Sequence, residues 1–169
     1  NCKWLVMEWD GRESSGIFVG NPIGWLLRNV NSSLALFKDN GIRGFSKVLI
    51  ALRPGRKNKN FITVADKICC HFDASLTLLN IVSASEKKHK VKRIESSSKE
   101  LISNTQCVSN IKIIKSNNPV DAVSEESAGY DLLILGTPEK DNWIRVLFGT
   151  GEDRFVKKAA CSVLRLTLK

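Results

Sequence analysis

The chain has 169 residues, of which 25% are charged, and a formal net charge of +9. That length is ample for one domain and short for two complete ones, and the composition is that of a globular protein. No run approaches the roughly 18–20 apolar residues that cross a bilayer, and Trp4 to Met7 is too short, and lacks the basic leader, to be a secretion signal. The chain opens without Met and enters a strand-like run within three residues, which reads as part of a longer protein.

In chain order, residues 4–8 and 33–38 are apolar strands joined through a helix near 20–30. From residue 45 short buried strands alternate with amphipathic helices. Val48 to Leu52 is a continuous apolar run, as expected of a strand covered on both faces, and Pro54-Gly55 stops it. Phe61, Ala65, Ile68, Cys69 and Phe72 then fall on one face of a helix. Leu76 to Val82 is a second strand, and Val91, Ile94, Leu101 and Ile102 mark a helix at about 88–104. Val108 to Ile114 alternates and so suits a sheet edge. Asn118 and Pro119 give the next helix an N-cap and a first residue without a needed N–H, and Gly129 ends it. Leu132 to Leu135 is a buried strand. Gly149 to Ala160 is a helix with Phe155, Val156, Ala159 and Ala160 inward, and Ser162 to Leu168 is the closing strand. Five strands separated by four helices predict an α/β fold with an open parallel sheet and right-handed crossovers. Such sheets bind ligands beyond the carboxyl ends of the strands, where the strand order reverses. Here those ends are Arg53-Pro54-Gly55 and Gly136-Thr137-Pro138.

Residues 1–44 carry +1 and residues 45–169 carry +8, much of it in Arg53, Arg56, Lys57 and Lys59 and in Lys87, Lys88, Lys90, Lys92 and Arg93. Basic clusters attract nucleic acid, anionic lipid or phosphorylated ligands. No RNA-binding aromatic signature, zinc finger or helix-turn-helix accompanies them. The expectation is a solvated loop and helix face, with no specific nucleic-acid partner. Five cysteines (Cys2, Cys69, Cys70, Cys107, Cys161) lack metal-ligand spacing, and the adjacent Cys69-Cys70 pair suits neither a zinc knuckle nor a CxxC redox pair. Buried free thiols and no metal are expected.

Residues 1–40 echo the last third of the chain. Leu5-Val6-Met7 matches Leu133-Ile134-Leu135 in type, and Gly20 through Lys38 runs without a gap against Gly149 through Thr167. Strand, glycine loop, helix with a basic end and strand recur in the same order, as in a duplicated unit. The division expected is 1–40 as the end of a first repeat, 41–46 as a linker and 47–169 as a complete domain.

Lys47 to Leu52, Tyr130 to Gly136, and Gly149-Thr150 followed by a helix and Ala160-Cys161-Ser162-Val163-Leu164 resemble the first, fourth and closing segments of universal stress proteins. That resemblance implies a strand order 3-2-1-4-5 with helices on both faces, extended here by two strands from the partial first copy. The family's nucleotide-binding members carry a G-x-x-G-x9-G-[ST] loop whose glycines let the backbone approach phosphate. This sequence offers Gly136, Gly149, Thr150 and Gly151 for it, but Glu139 stands at the second glycine. Arg53 replaces the acidic residue that meets the nucleoside. The resemblance therefore implies a degenerate ATP or AMP site and no required cofactor.

No nucleophile, base and partner fall into a catalytic pattern: His71 and His89 lack visible partners, Glu125 and Glu126 read as solvated, and there is no G-x-S-x-G or Walker lysine. A non-enzymatic domain is expected. Tandem copies of this family occur as cytoplasmic tails of amino-acid permeases, cation–chloride cotransporters and sodium/proton antiporters. The resemblance thus implies a regulatory and self-association domain at the cytoplasmic face of a membrane, partnered by the membrane part of its own polypeptide. The alternative is a stand-alone cytoplasmic stress protein that binds ATP or AMP. Two head strands alone would expose an aggregation-prone edge. In the stress-protein strand order Ser162 to Leu168 is an edge that commonly pairs with a partner copy, so the resemblance implies that Ser33 to Lys38 lies antiparallel beside it, in one chain or swapped in a homodimer joined through edge strands, with Trp4, Phe37 and Leu166 buried at the junction.

Overall fold

The computed structural model describes residues 2–9, 29–53, 59–136 and 153–169. Within them lie β1 (Trp4–Glu8), β2 (Ser33–Lys38), β3 (Lys47–Ala51), α1 (Lys59–Phe72), β4 (Ser75–Val82), α2 (Lys88–Ile102), β5 (Ser109–Lys115), α3 (Pro119–Ser127), β6 (Leu132–Gly136), α4 (Arg154–Lys158) and β7 (Ser162–Thr167). The strands form one seven-stranded sheet in the order β1-β2-β7-β6-β3-β4-β5. Every neighbouring pair is parallel except β2 and β7, which run antiparallel. From β7 to β5 the order is that of the expected five-stranded unit, and β1 and β2 widen the same sheet to seven strands.

Hydrophobic pattern decides which strands sit in the middle. Val48, Leu49 and Ile50 are fully buried, so β3 has no solvent face, and the same holds for Leu133 and Ile134 of β6. Val48 and Ile50 pack with Phe61, Ile62, Ala65 and Cys69 of α1, while Leu49 and Leu133 pack with Val123 of α3 and Val156 of α4. Burial on both faces is what a parallel sheet with crossover helices requires. β5 and β1, at the two ends of the sheet, alternate in exposure instead.

Polar groups fix the joints. Asn118 caps α3 by accepting from Asp121 N at 3.4 Å, with Pro119 in the first turn. Asp131, just before β6, accepts from Ser46 N and Lys47 N at 2.8 Å and from Ser46 Oγ at 3.0 Å, tying the start of β3 to that of β6. The Ser46 amide is the chief reason its carboxyl lies below the usual range. Between β2 and β7, Asn40 donates from Nδ2 to Ala159 O at 3.2 Å and Cys161 O at 2.8 Å, and its amide donates to Ser162 Oγ at 2.9 Å. Leu34, Ala35 and Leu36 of β2 are buried, so these residues of the head belong to the common core.

Several sequence expectations need correction. Trp4 is 37% exposed, because β1 is the outermost strand and alternate residues face away from the core. Phe72 is 47% exposed at the end of α1, where its ring meets Phe45 edge-on at 4.2 Å. The last helix ends at Lys158, leaving Ala160 outside it and exposed; residues 149–152 lie outside the described residues. Glu126 is mostly covered and pairs with Lys112 at 2.7 Å rather than facing water. Of the five thiols only Cys69 and Cys161 are buried, while Cys2 and Cys70 are exposed. On α2 the inward positions include Ser98, which accepts a buried hydrogen bond from Asn80 Nδ2 at 2.9 Å, a polar pair that apolar periodicity does not register.

Candidate functional site

β3 lies between β4, which leads outward to β5, and β6, which leads the opposite way to β7. The helices on either side of the β3–β6 pair fall on opposite faces, α1 against Val48 and Ile50 and α3 and α4 against Leu49 and Leu133. The register pairs Ala51 with Leu135, so Leu52-Arg53 and Gly136 emerge side by side. Crevices of this origin are where open α/β sheets take ligands.

The residues at this opening differ in what they offer. Leu52 is buried, its amide donating to Leu79 O at 3.2 Å, and Arg53 directly after it is exposed. A cation thus stands at the mouth where the resemblance leads one to expect a carboxylate. Gly136 ends β6 against the ring of Phe61 from α1; a Cβ there would meet ring carbons at 3.1 to 3.3 Å. Close approach of an aromatic ring thus favours glycine at 136, independent of any ligand. Glu139, Gly149, Thr150 and Gly151 lie outside the described residues, so the structure brings together Arg53 and Gly136 alone among the expected site residues.

Sequence reasoning passed over two residues beside this opening. Arg165 of β7 and Asp153 before α4 are 6% and 2% exposed. Arg165 Nη2 lies 3.1 Å from Asp153 Oδ2, and Nη1 donates to Gly136 O at 3.4 Å. The other carboxylate oxygen of Asp153 accepts from Phe155 N at 3.1 Å and Val156 N at 3.3 Å, capping α4. Burial lowers the basicity of the guanidinium and Asp153 offsets this only in part; an arginine stays charged regardless. The available signal was one arginine inside the otherwise apolar run Val163-Leu164-Arg165-Leu166.

Elsewhere the chemistry is sparse. Cys70 Sγ points at Asp66 Oδ1 at 3.7 Å, and the same oxygen accepts from Gln106 N and Cys107 N at 2.9 and 3.0 Å. Burial pushes the Cys69 thiol up to about 11 and the Cys107 thiol higher still, so neither is a ready nucleophile. A groove of about 550 Å³ between α1 and α2 is lined by Lys59, Asp66, Lys67, Glu100, Thr105 and Gln106 among others. Lys87, Lys88, Lys92 and Arg93 are exposed at the start of α2, where Lys90 pairs with Glu86 at 2.7 Å. His71 rests edge-on against Phe72 at 4.7 Å and His89 is exposed. Among the described residues no group of three His, Cys, Asp or Glu side chains is placed to hold a metal ion.

No protein-family model matches the sequence, and no curated protein matches it. Solved structures do match. A universal stress protein from Archaeoglobus fulgidus superposes with a TM-score of 0.68 at 14% identity, over 96% of this chain and 60% of that one. A universal stress protein in complex with cAMP gives 0.58 at 15% identity, over 75% of this chain and 99% of that one. Another from Archaeoglobus fulgidus, in complex with dAMP, gives 0.55 at 10% identity, over 72% of this chain and 98% of that one. The fold is therefore that of universal stress proteins. This chain spans 60% of the length of the first neighbour.

Proposed function

We propose that this chain is a non-enzymatic regulatory domain of the universal-stress-protein kind, and that it takes an adenine nucleotide, AMP or ATP, at the carboxyl ends of β3 and β6. The reversal of strand order at the β3–β6 pair carries the reading, because it sets Arg53 and Gly136 side by side at an opening of the kind that takes ligands. Support comes from two proteins of this fold that hold cAMP and dAMP. Arg53 at the mouth suits the phosphate of such a ligand. Glu139, placed by the sequence near the same loop, opposes it, so the affinity expected is about 1 mM, or roughly −4 kcal/mol.

The neighbours are named as universal stress proteins, which favours a stand-alone binding domain over the transporter tail that the sequence resemblance put first. No helix among the described residues is long and apolar enough to cross a membrane. Association of two copies through the outer edge of the sheet is the corresponding proposal for a partner. The nucleotide reading is tested by titrating AMP against the isotope-labelled chain and following the amides of Leu52, Arg53 and Gly136. Saturable shifts centred on them support it; their absence overturns it.

A further inference from the structure

We propose that Arg165 is a positioning residue that ties the end of β6 at Gly136 to the start of α4 at Asp153, and so fixes the position of Gly136 at the β3–β6 strand ends. The inference rests on the nucleotide reading only for its functional consequence; the clamp itself is argued from geometry. One guanidinium reaches Gly136 O, the last residue of β6, and Asp153 Oδ2, the residue before α4. Those two residues flank segment 137–152 on either side.

The arrangement does little for stability in itself. A buried ion pair gains in Coulomb energy about what it loses in desolvation, and an apolar pair of similar volume serves the core as well. Val163, on the same side of β7, is such an apolar residue and is fully buried. The geometry also leaves Arg165 Nε without an acceptor and Asp153 Oδ2 with the charge contact alone. An under-satisfied buried pair is a poor choice for packing, whereas a planar fork that bridges two fixed points defines their spacing. Asp153 passes that constraint on: with one oxygen it meets Arg165, and with the other it holds the amides of Phe155 and Val156.

The test uses the full chain and the variants Arg165→Met, Arg165→Lys and Asp153→Asn. Amide hydrogen exchange at Phe155 and Val156 should accelerate about tenfold in Arg165→Met relative to Leu78 of β4, since the capping carboxylate loses its anchor. AMP affinity should fall about tenfold in the same variant, because a site loosened by its supporting residues binds poorly. Arg165→Lys keeps the charge but not the fork, so it should restore less than half of the lost protection. Should Arg165→Met fail to fold, Asp153→Asn breaks the same contact and the exchange at Val156 is read there. Unchanged exchange at both amides in every folded variant overturns the clamp. Accelerated exchange with unchanged AMP affinity overturns its link to the β3–β6 strand ends. If the unaltered chain binds no AMP, the nucleotide reading fails while the exchange data still decide the clamp.

Discussion

Replacing Leu36 by alanine tests whether the head of the chain is part of the folded unit or only lies against it. Leu36 sits on β2, 4% exposed, and packs in the cluster that contains Trp9, Val156, Cys161 and Val163. It is opposite Arg165 in the antiparallel β2–β7 pair. Truncating a buried leucine removes its transfer free energy and leaves a cavity, about 2–5 kcal/mol in all. β2 has only the outermost strand β1 on one side, where the sheet yields more readily than at its centre, so a value near 3 kcal/mol is expected, toward the low end of that range. For a chain of this length that lowers the melting temperature by about 6–12 °C. Urea unfolding followed by both tryptophan fluorescence and far-ultraviolet circular dichroism should show one transition, shifted as a whole, with an unchanged slope. Val6→Ser on β1, at a position 66% exposed, should change stability by less than about 0.5 kcal/mol. The reasoning is refuted if Leu36→Ala leaves the main transition in place, or splits off a separate small one, because the head would then fold apart from the rest.

Three further outcomes follow from the joints of the sheet. Asp131→Ala removes the acceptor for two amides and a hydroxyl, and should cost about 1–2 kcal/mol, a figure reduced for the group's partial exposure. Because the folded-state carboxyl lies below its unfolded value of 3.8, the contribution is complete above about pH 5 and is lost as pH falls through the folded pKa; acid titration should therefore separate the variant from the parent at neutral pH and bring them together in acid. Gly136→Ala drives a Cβ into the Phe61 ring and should destabilise by about 1–3 kcal/mol, with Gly136→Ala/Phe61→Leu regaining part of the loss in a thermal scan. Deleting residues 1–40 uncovers the β7 edge along Val163 to Thr167, so light scattering and gel filtration should show aggregation or new dimers; a monomeric product of equal heat stability would contradict this.

The parts of the fold that were legible in the sequence are those where one residue type admits few environments. Val48-Leu49-Ile50 has no polar residue to turn toward water, which marks a strand covered on both faces, and Asn118-Pro119 is chemically suited to a helix start. The position of β2 needed more: an apolar strand cannot leave its edge and face bare, but that its partner would be β7 came from the strand order that the family resemblance implied. What failed did so for want of position rather than pattern. Trp4 and Phe72 are as hydrophobic as core residues, but one lies on the outermost strand of the sheet and the other is the last residue of α1, where covering surface runs out. Gly136 was legible as special, yet for a loop, when the Phe61 ring from α1 already leaves little room for a Cβ there. The contacts of Arg165 were illegible because its partners, Gly136 and Asp153, lie far from it in sequence and meet it only through the fold.

The central claim is that an adenine nucleotide enters at the carboxyl ends of β3 and β6, and amide chemical-shift titration of the full chain with AMP tests it most directly. The account predicts saturable shifts grouped at Leu52, Arg53 and Gly136 with a Kd of about 1 mM, weakened by Arg53→Glu. Shifts confined to Lys87 through Arg93, or no saturable shift at the β3–β6 opening up to about 10 mM AMP, would contradict it.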